Sequence, residues 1–268
     1  MPDLSLPDVS LHYEVEGNGP ALLMLAGMLG DSASWGALAP LLRDHFTLIR
    51  PDNRSTGRTT PWNAEISVMH MAQDALALMD HLGHEQFHVV GHSMGGLMGM
   101  ELTGLAPERV RMLGIVASAP VRAPRTMAVF DALLAVRRAP EGEALWLRAL
   151  YPWIFAPTFF AQAENVEDAL AAALAYPHAQ SADAMAHQLD ALRSFRPTVR
   201  PADLPCPILV LHGADDILIP RAAAEAAFAK IPDVAQFTLP DAGHSIHWDA
   251  AEAVAAHLGK FHATLSET

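Results

Sequence analysis

The chain has 268 residues, 51% of them hydrophobic and 18% charged, which suits one large globular domain with a substantial core. Its net charge of −13 argues against a broad basic surface, so we expect neither nucleic acid nor an anionic membrane as a partner. The single cysteine, Cys206, excludes an internal disulfide and a cysteine-based metal site.

Strand and helix patterns alternate along the first 119 residues. Alternating or continuous apolar runs predict strands at 9–15, 21–26, 46–49, 87–90 and 110–117. Apolar residues at helical spacing predict helices at 35–42, 69–82 and 97–102. The first strand and the turn at 17–20 are typical of a hairpin at a sheet edge. Strands that alternate with helices indicate an α/β fold with a mostly parallel sheet.

A different pattern occupies residues 120–198, where no strand is predicted. The segment is rich in Ala, Leu and Arg, and its prolines at 140, 152, 157 and 177 predict several short helices. The alternation resumes with strands at 208–211 and 236–239 and helices at 220–230 and 250–262. We therefore expect a core domain formed by 1–119 and 199–268, with 120–198 inserted as a helical lid over the site.

A G-x-S-x-G motif lies between a predicted strand and a predicted helix. It reads Gly91-His92-Ser93-Met94-Gly95, and strand, sharp turn and helix are the context that a nucleophile elbow needs. The two glycines suit a tight turn at which strand and helix approach closely. Ser93 is therefore the candidate nucleophile, and the backbone N–H of Met94 is a candidate oxyanion donor.

A serine hydroxyl is a weak nucleophile at neutral pH, so it needs a base and an acid that orients the base. After a nucleophile elbow the expected chain order is Ser, acid, His. The loop after one late strand offers Asp215 and Asp216, and the loop after the next offers His244 beside Gly243. His212 is the weaker candidate base because it sits at a strand end.

These three motifs, in this order, resemble those of the α/β-hydrolase-fold family, in its branch of serine esterases, lactonases and C–C hydrolases. The resemblance covers essentially the whole chain. It implies a mostly parallel central sheet flanked by helices, with a helical lid inserted after the sixth strand. It implies neither a cofactor nor a metal. In the family the acid lies three residues after the glycine and four before the proline, which selects Asp216 here.

The resemblance also indicates a second oxyanion donor, at the residue after the glycine that follows the first buried strand. That residue is Met28 in this sequence, and Ala26 stands where the family usually has histidine. Because the donor is a backbone N–H, the missing histidine does not exclude it.

Four side chains are candidates for contact with the substrate: Arg58, Trp146, Trp153 and Phe159. Aromatic residues of the insertion favour a largely apolar cleft, although they could equally seal the lid onto the core. Asp52 and Arg54 are predicted to be structural charges that order their own loop.

The sequence thus predicts a serine hydrolase that cleaves a carboxylic ester or lactone of a small, largely apolar substrate, through Ser93, His244 and Asp216. Three alternatives stay open: a C–C bond hydrolase or a cofactor-free perhydrolase on the same triad, and a hydrolase-like small-molecule receptor. A serine nucleophile argues against a dehalogenase or an epoxide hydrolase. The only expected partners are the small molecule and water, and the chain is expected to be a monomer or homodimer.

The cellular address is predicted from two missing signals. The N-terminus has no basic region followed by an apolar core, as a signal peptide would. No apolar run reaches the roughly 18 residues that a membrane-spanning helix needs. We therefore expect a cytoplasmic protein.

Overall fold

The computed structural model describes residues 3–231 and 234–266. Positions 1–2, 232–233 and 267–268, which belong to the predicted core segments 1–119 and 199–268, lie outside the described residues. Within these ranges the strands are β1 (Asp3–Ser5), β2 (Ser10–Gly17), β3 (Ala21–Leu25), β4 (Thr47–Pro51), β5 (Phe87–His92), β6 (Val110–Val116), β7 (Ile208–Gly213) and β8 (Ala235–Leu239). The α-helices are α1 (Ala39–Leu42), α2 (Val68–His81), α3 (Met94–Leu105), α4 (Pro124–Arg138), α5 (Gly142–Ile154), α6 (Ala163–Ala175), α7 (Ala182–Ser194), α8 (Arg221–Phe228), α9 (Ile246–Asp249) and α10 (Ala251–Ser266).

The strands form one sheet in the order β1-β2-β4-β3-β5-β6-β7-β8. From β4 to β8 every neighbouring pair is parallel, whereas β1 and β2 are antiparallel additions. Every residue of β3 and of β5 is buried, as expected for strands covered on both faces. The predicted α/β fold with a mostly parallel sheet is confirmed.

The predicted hairpin over residues 9–20 is wrong in its pairing. The turn reverses the chain, but β4 lies between β2 and β3: Thr47 pairs with Gly17 on one side and with Ala21 on the other. The edge strand on this side of the sheet is β1, not β2. A turn sequence specifies a reversal of the chain, whereas the strand that fills the gap comes from a distant part of the chain.

Helices cover both faces of the sheet and bury an apolar layer on each. On one face the side chains of α2, α3 and α8 pack on the strands, among them Met71, Leu78, Met98, Leu102 and Phe228. On the other face the packing comes from α1, α10 and the turn before α1, among them Trp35, Leu38, Leu42, Val254 and Leu258. The parallel strands therefore present their carboxyl ends at one rim between the two helical layers.

The predicted helix at 35–42 is two short pieces. A 3-10 turn, Ser32–Trp35, is capped by Asp31, whose Oδ1 accepts from the N–H of Ala33 at 2.9 Å. The α1 helix follows with Pro40 in its first turn, where a missing N–H costs nothing. Proline would break a continuous helix at this point, because it cannot donate to the preceding turn.

The segment between β6 and β7 contains α4 to α7 and a 3-10 turn, Pro157–Ala161, and we call residues 120–198 the helical insertion. It has an apolar cluster of its own, which includes Phe130, Leu133, Trp146, Leu150 and Leu189. Of the four prolines expected to separate its helices, Pro140, Pro157 and Pro177 lie outside the α-helices as predicted. Pro152 instead lies in the last turn of α5.

A buried arginine ties the loop after β4 to the rest of the core. The guanidinium of Arg54 donates to both carboxylate oxygens of Asp74, at 2.6 and 2.9 Å, and to those of Asp8, at 2.5 and 2.9 Å. Arg54 and Asp74 are both buried. The side chain of Asp52, fully buried, accepts from the N–H groups of Ser32 and Arg58. Asp52 and Arg54 therefore have the structural role that the sequence predicted.

We expect Arg54→Met to lower the free energy of unfolding by about 3–5 kcal/mol, because it leaves the Asp74 carboxylate buried without its partner. Urea denaturation measures this loss. The matched control is Arg148→Met, which breaks a solvent-exposed ion pair with Glu167 and should leave the free energy of unfolding nearly unchanged. Equal losses in the two variants would contradict the role of Arg54.

None of the helices in the described ranges is long and apolar enough to cross a bilayer.

Candidate active site

Ser93 lies in a strained turn between β5 and α3. Its φ of 52° and ψ of −117° are outside the regions that L-residues normally adopt, and such strain is characteristic of functional positions. A side chain at Gly95 would collide with the carbonyl oxygen of Leu25 in β3, and one at Gly91 would collide with the backbone of Gly95. The glycines thus permit the close approach of strand and helix that brings Ser93 to the wall of a cavity.

Ser93, His244 and Asp216 form a chain of hydrogen bonds. The distance from His244 Nε2 to Ser93 Oγ is 2.9 Å, and that from His244 Nδ1 to Asp216 Oδ2 is also 2.9 Å. An ionised Asp216 can only accept, so Nδ1 carries the hydrogen and Nε2 is left to accept the Ser93 hydroxyl proton. The structure therefore brings together the three residues that the sequence selected.

The two partners of Ser93 come from neighbouring strands. Asp216 follows β7 and His244 follows β8, so both lie at the carboxyl-end rim of the sheet together with the turn after β5. Asp215 is exposed to solvent, and His212 is buried within β7. The weaker candidates from the sequence thus lie outside the hydrogen-bonded chain.

Asp216 is held in its ionised form. Burial, the largest influence, would by itself raise the pKa of this carboxyl, whereas the charge and hydrogen bond of His244 lower it. The N–H groups of Leu218 and Ile219 add to this by donating to Oδ1 at 2.9 and 3.0 Å. The net effect is a pKa below the ordinary value of aspartate, so the charge that orients His244 persists at neutral pH.

A second histidine supports the backbone of His244. The Nε2 of His92 donates to the carbonyl oxygen of His244 at 2.8 Å, which requires the hydrogen to sit on Nε2 of His92. Burial, followed by the nearby charge of His244, lowers the pKa of His92 to about 3, so its ring stays neutral. No sequence pattern indicates this contact, since His92 occupies the variable position of the motif.

The loop that carries His244 is also fixed to the helical insertion. The Oδ2 of Asp249 accepts from the N–H of Gly243 at 2.8 Å and from the N–H of Ala156 at 3.0 Å. The N–H of Ser245 donates to the carbonyl oxygen of Ile154 at 2.7 Å. The base therefore sits on a loop braced from the core and from the end of α5.

Two backbone N–H groups flank Ser93. Met94 is the first residue of α3, and its N–H lies among the free donors of the helix N-terminus. Met28 follows Gly27, and a β-carbon at Gly27 would come within 3.1 Å of the Ser93 Cβ, so this turn lies directly against the serine. Both Met28 and Met94 line the cavity. The arrangement suits the two-donor oxyanion site expected from the sequence.

The cavity at Ser93 has a volume of about 1190 Å³ and lies between the core and the helical insertion. The insertion contributes mostly apolar side chains, among them Val121, Met127, Phe130, Leu150, Tyr151, Phe155 and Phe159. Phe155 and Phe159 are stacked, with ring centroids 4.1 Å apart and planes 15° from parallel. The wall opposite Ser93 is therefore largely aromatic and aliphatic.

Phe159 lines the cavity as predicted, but Trp146 and Trp153 do not lie among its lining residues. Trp146 is buried inside the insertion, where the guanidinium of Arg137 lies 4.4 Å from its ring centroid. Trp153 faces Arg125, at 5.4 Å. The face of α5 that borders the cavity carries Leu150, Tyr151 and Ile154, none of which was among the four predicted substrate contacts. Helix rotation decides which aromatic residues point inward.

Arg58 is likewise not a cavity residue. Its Nη1 donates to Glu14 at 2.8 Å, its Nε to Asp52 at 3.2 Å and its Nη2 to the hydroxyl of Ser32 at 2.9 Å. These contacts link the loop after β4 to β2 and to the turn before α1. The expectation that Arg58 binds the substrate is therefore corrected to a structural role.

The described part of the chain offers neither a metal-binding cluster nor a reactive thiol. No group of three or more His, Cys, Asp or Glu side chains in residues 3–231 and 234–266 is arranged to hold a metal ion. Cys206 is buried, and burial raises the pKa of its thiol to about 11. Because the thiolate is the nucleophilic form, a buried thiol with a raised pKa is a poor candidate for a nucleophile.

Comparison with known proteins gives the family. Residues 20–251 match the family model described as the alpha/beta hydrolase fold. The RutD protein of Azorhizobium caulinodans, whose name proposes carbamate hydrolase activity, is 32% identical over 232 residues, or 84% of each chain.

Two solved structures show the same architecture. A hydrolase from Pseudomonas aeruginosa PA01 is 26% identical, with a TM-score of 0.82 over 97% of both chains. A thermophilic esterase from Thermogutta terrifontis is 23% identical, with a TM-score of 0.85 over 99% of both chains. The chain therefore belongs to the α/β-hydrolase fold family and is a hydrolase.

Proposed function

We propose that this chain hydrolyses a carboxylic ester or a lactone of a small, largely apolar substrate through an acyl-enzyme on Ser93. The observation that carries the proposal is the pair of 2.9 Å hydrogen bonds joining Ser93, His244 and Asp216 at the wall of an apolar cavity. A serine whose hydroxyl is hydrogen-bonded to an imidazole, with an ionised acid behind the imidazole, is equipped for acyl transfer.

In the proposed reaction the Ser93 Oγ attacks the substrate carbonyl while Nε2 of His244 takes the hydroxyl proton. The Asp216 carboxylate stabilises the imidazolium that forms, and the N–H groups of Met28 and Met94 bind the oxyanion. His244 then protonates the leaving oxygen, and the alcohol departs. In a lactone the alcohol stays attached to the acyl group. Water, deprotonated by His244, releases the acid and restores Ser93.

The cavity indicates the substrate class within this proposal. We take the helical insertion to be a lid, because its side chains form the wall that faces Ser93. An apolar wall binds acyl chains by removing them from water, at about 0.8 kcal/mol for each buried methylene. No cofactor is needed for this chemistry, and a single chain, or each chain of a homodimer, carries all the proposed groups.

A carbamate is the second candidate substrate, and the relative named for that activity is the observation in its favour. Ser93 would attack the carbamate carbonyl in the same way and form a carbamoyl-enzyme. Such a carbonyl is less electrophilic, because the nitrogen lone pair delocalises into it. A site specialised for carbamates would therefore have to stabilise more strongly the oxyanion that forms when Ser93 attacks.

Initial rates on p-nitrophenyl esters from acetate to decanoate, together with aliphatic lactones and a phenyl carbamate, test the proposal. We expect ester kcat/KM to rise at least about tenfold between acetate and hexanoate, because four more methylenes are buried. A carbamate kcat/KM above that of every ester and lactone would favour the second candidate. A folded protein that hydrolyses none of these compounds would contradict the proposal.

A further inference from the structure

A buried amide of the helical insertion reaches across to the core beside Ser93. Gln188, on α7, is fully buried. Its Oε1 accepts from the backbone N–H of Leu29 at 3.2 Å, and its Nε2 donates to the carbonyl oxygen of Arg54 at 2.9 Å. Oε1 also accepts from Nε2 of Gln180 at 3.0 Å. A buried amide with this many partners is held in one orientation.

Leu29, whose N–H donates to Gln188, belongs to the turn at 27–30 that carries the proposed oxyanion donor Met28. Leu29 has a φ of 73°, a left-handed conformation that is strained for a non-glycine residue. Within the turn, the N–H of Gly30 donates to the carbonyl oxygen of Gly27 at 3.2 Å. A strained residue persists only where its surroundings fix it, and the Gln188 oxygen supplies such a constraint from outside the turn.

The hydrogen bond acts on the peptide next to the donor. The N–H of Leu29 belongs to the peptide plane that joins Met28 to Leu29, so a fixed Leu29 N–H limits rotation about Met28. The same bond engages the Leu29 N–H, which leaves the Met28 N–H as the donor of this turn toward Ser93. Gln188 itself is not among the cavity-lining residues of the described chain.

We infer that Gln188 is a positioning residue for the oxyanion site: it holds the turn at 27–30 so that the Met28 N–H faces the reacting carbonyl oxygen. The inference rests on the proposed function. It also couples the oxyanion site to the seating of the helical insertion, since the amide that fixes the turn is carried by α7. An insertion that shifts away from the core would weaken the proposed transition-state contact.

The chain provides a matched control close to Gln188. Gln180 is a second buried glutamine of the insertion, and its Nε2 donates to the carbonyl oxygen of Ser55 at 2.7 Å as well as to Gln188. It contacts the loop after β4, and its amide donates to Ser55 and Gln188 rather than to the turn that carries Leu29. Without Gln180 the Gln188 amide keeps its bonds to the backbone of Leu29 and Arg54, so this loss should reproduce the structural cost of removing a buried glutamine without freeing the turn.

The test compares Gln188→Met with Gln180→Met on the best ester. We expect Gln188→Met to lower kcat about 10- to 100-fold with KM within about twofold, somewhat less than the 10²–10³ that loss of a whole oxyanion donor costs. Gln180→Met should lower kcat by less than about threefold. Thermal unfolding of both variants verifies that they fold.

A second variant separates positioning from general destabilisation. Glycine adopts a φ near 73° without strain, so the turn should depend less on Gln188 when Leu29→Gly is present. We expect the kcat loss from Gln188→Met to be at least about threefold smaller in the Leu29→Gly background, a non-additivity typical of coupled residues.

Equal kcat losses in Gln188→Met and Gln180→Met, or strict additivity with Leu29→Gly, would overturn the inference and leave an active serine hydrolase. A wild-type protein that neither hydrolyses esters nor reacts at Ser93 with a fluorophosphonate would overturn the proposed function, and the inference with it. The two failures are therefore distinguishable by the behaviour of the wild type.

Discussion

Ser93→Ala is expected to lower ester kcat/KM by at least about 10⁴-fold, because it removes the atom to which the acyl group bonds. The fold should survive, since the strained backbone at position 93 depends on the two neighbouring glycines and on the packing of α3 against β5. Steady-state rates measure the loss, and circular dichroism verifies the fold.

The control for this change is Ser118→Ala, a serine-to-alanine substitution beside the same turn. The Oγ of Ser118 donates to the carbonyl oxygen of Ser93 at 2.6 Å, so it touches the backbone of the proposed nucleophile and not its hydroxyl. We expect a loss below about tenfold, in line with one neutral hydrogen bond. Comparable losses in the two variants would mean that Ser93 acts only through the shape of the turn.

Asp216→Asn should lower kcat by about 10³–10⁴-fold with little change in KM. The amide has the volume of the carboxylate, but it can donate to Nδ1 of His244 and thereby favour the tautomer whose Nε2 carries a hydrogen. That tautomer cannot accept the Ser93 proton. The matched control is Asp215→Asn, an exposed neighbour with no part in the hydrogen-bonded chain, which should change kcat less than about threefold.

The stability that Asp216 contributes is expected to depend on pH. The pKa of Asp216 in the folded chain is lower than the ordinary value, so its ionised form stabilises the fold above that ordinary pKa, near 3.9. This stabilisation is lost as the pH falls through the folded pKa. The difference in unfolding free energy between wild type and Asp216→Asn should therefore shrink below about pH 4. If Asp215→Asn lowered kcat more than Asp216→Asn does, Asp215 rather than Asp216 would be the acid that orients His244.

Local chemistry made much of the site predictable. The elbow at Ser93 needs glycines at fixed offsets, and a sequence shows those offsets directly. Asp216 and His244 follow buried strands whose carboxyl ends meet at one rim, so strand patterns alone bring their loops near Ser93. These positions depend on neighbours along the chain and on the parallel order of the sheet, both of which leave clear patterns.

The parts that the sequence could not predict depend on non-local packing. The side of α5 that faces the cavity is set by how the insertion seats on the core, and Trp146 and Trp153 consequently lie outside the cavity lining. Arg58 has its carboxylate partner Glu14 on a strand more than forty positions earlier. Gln188 carries no motif, and only the fold shows that its amide meets Leu29.

The central claim is that Ser93 is a nucleophile activated by His244, and covalent labelling tests it most directly. Incubation with a fluorophosphonate, followed by intact and peptide mass spectrometry, should show one phosphonyl group per chain on the peptide that contains Ser93, with fluoride as the leaving group. His244→Ala should slow the labelling at least about 10²-fold. A wild-type protein that hydrolyses esters yet carries no label on Ser93, or is labelled equally fast without His244, would contradict the account.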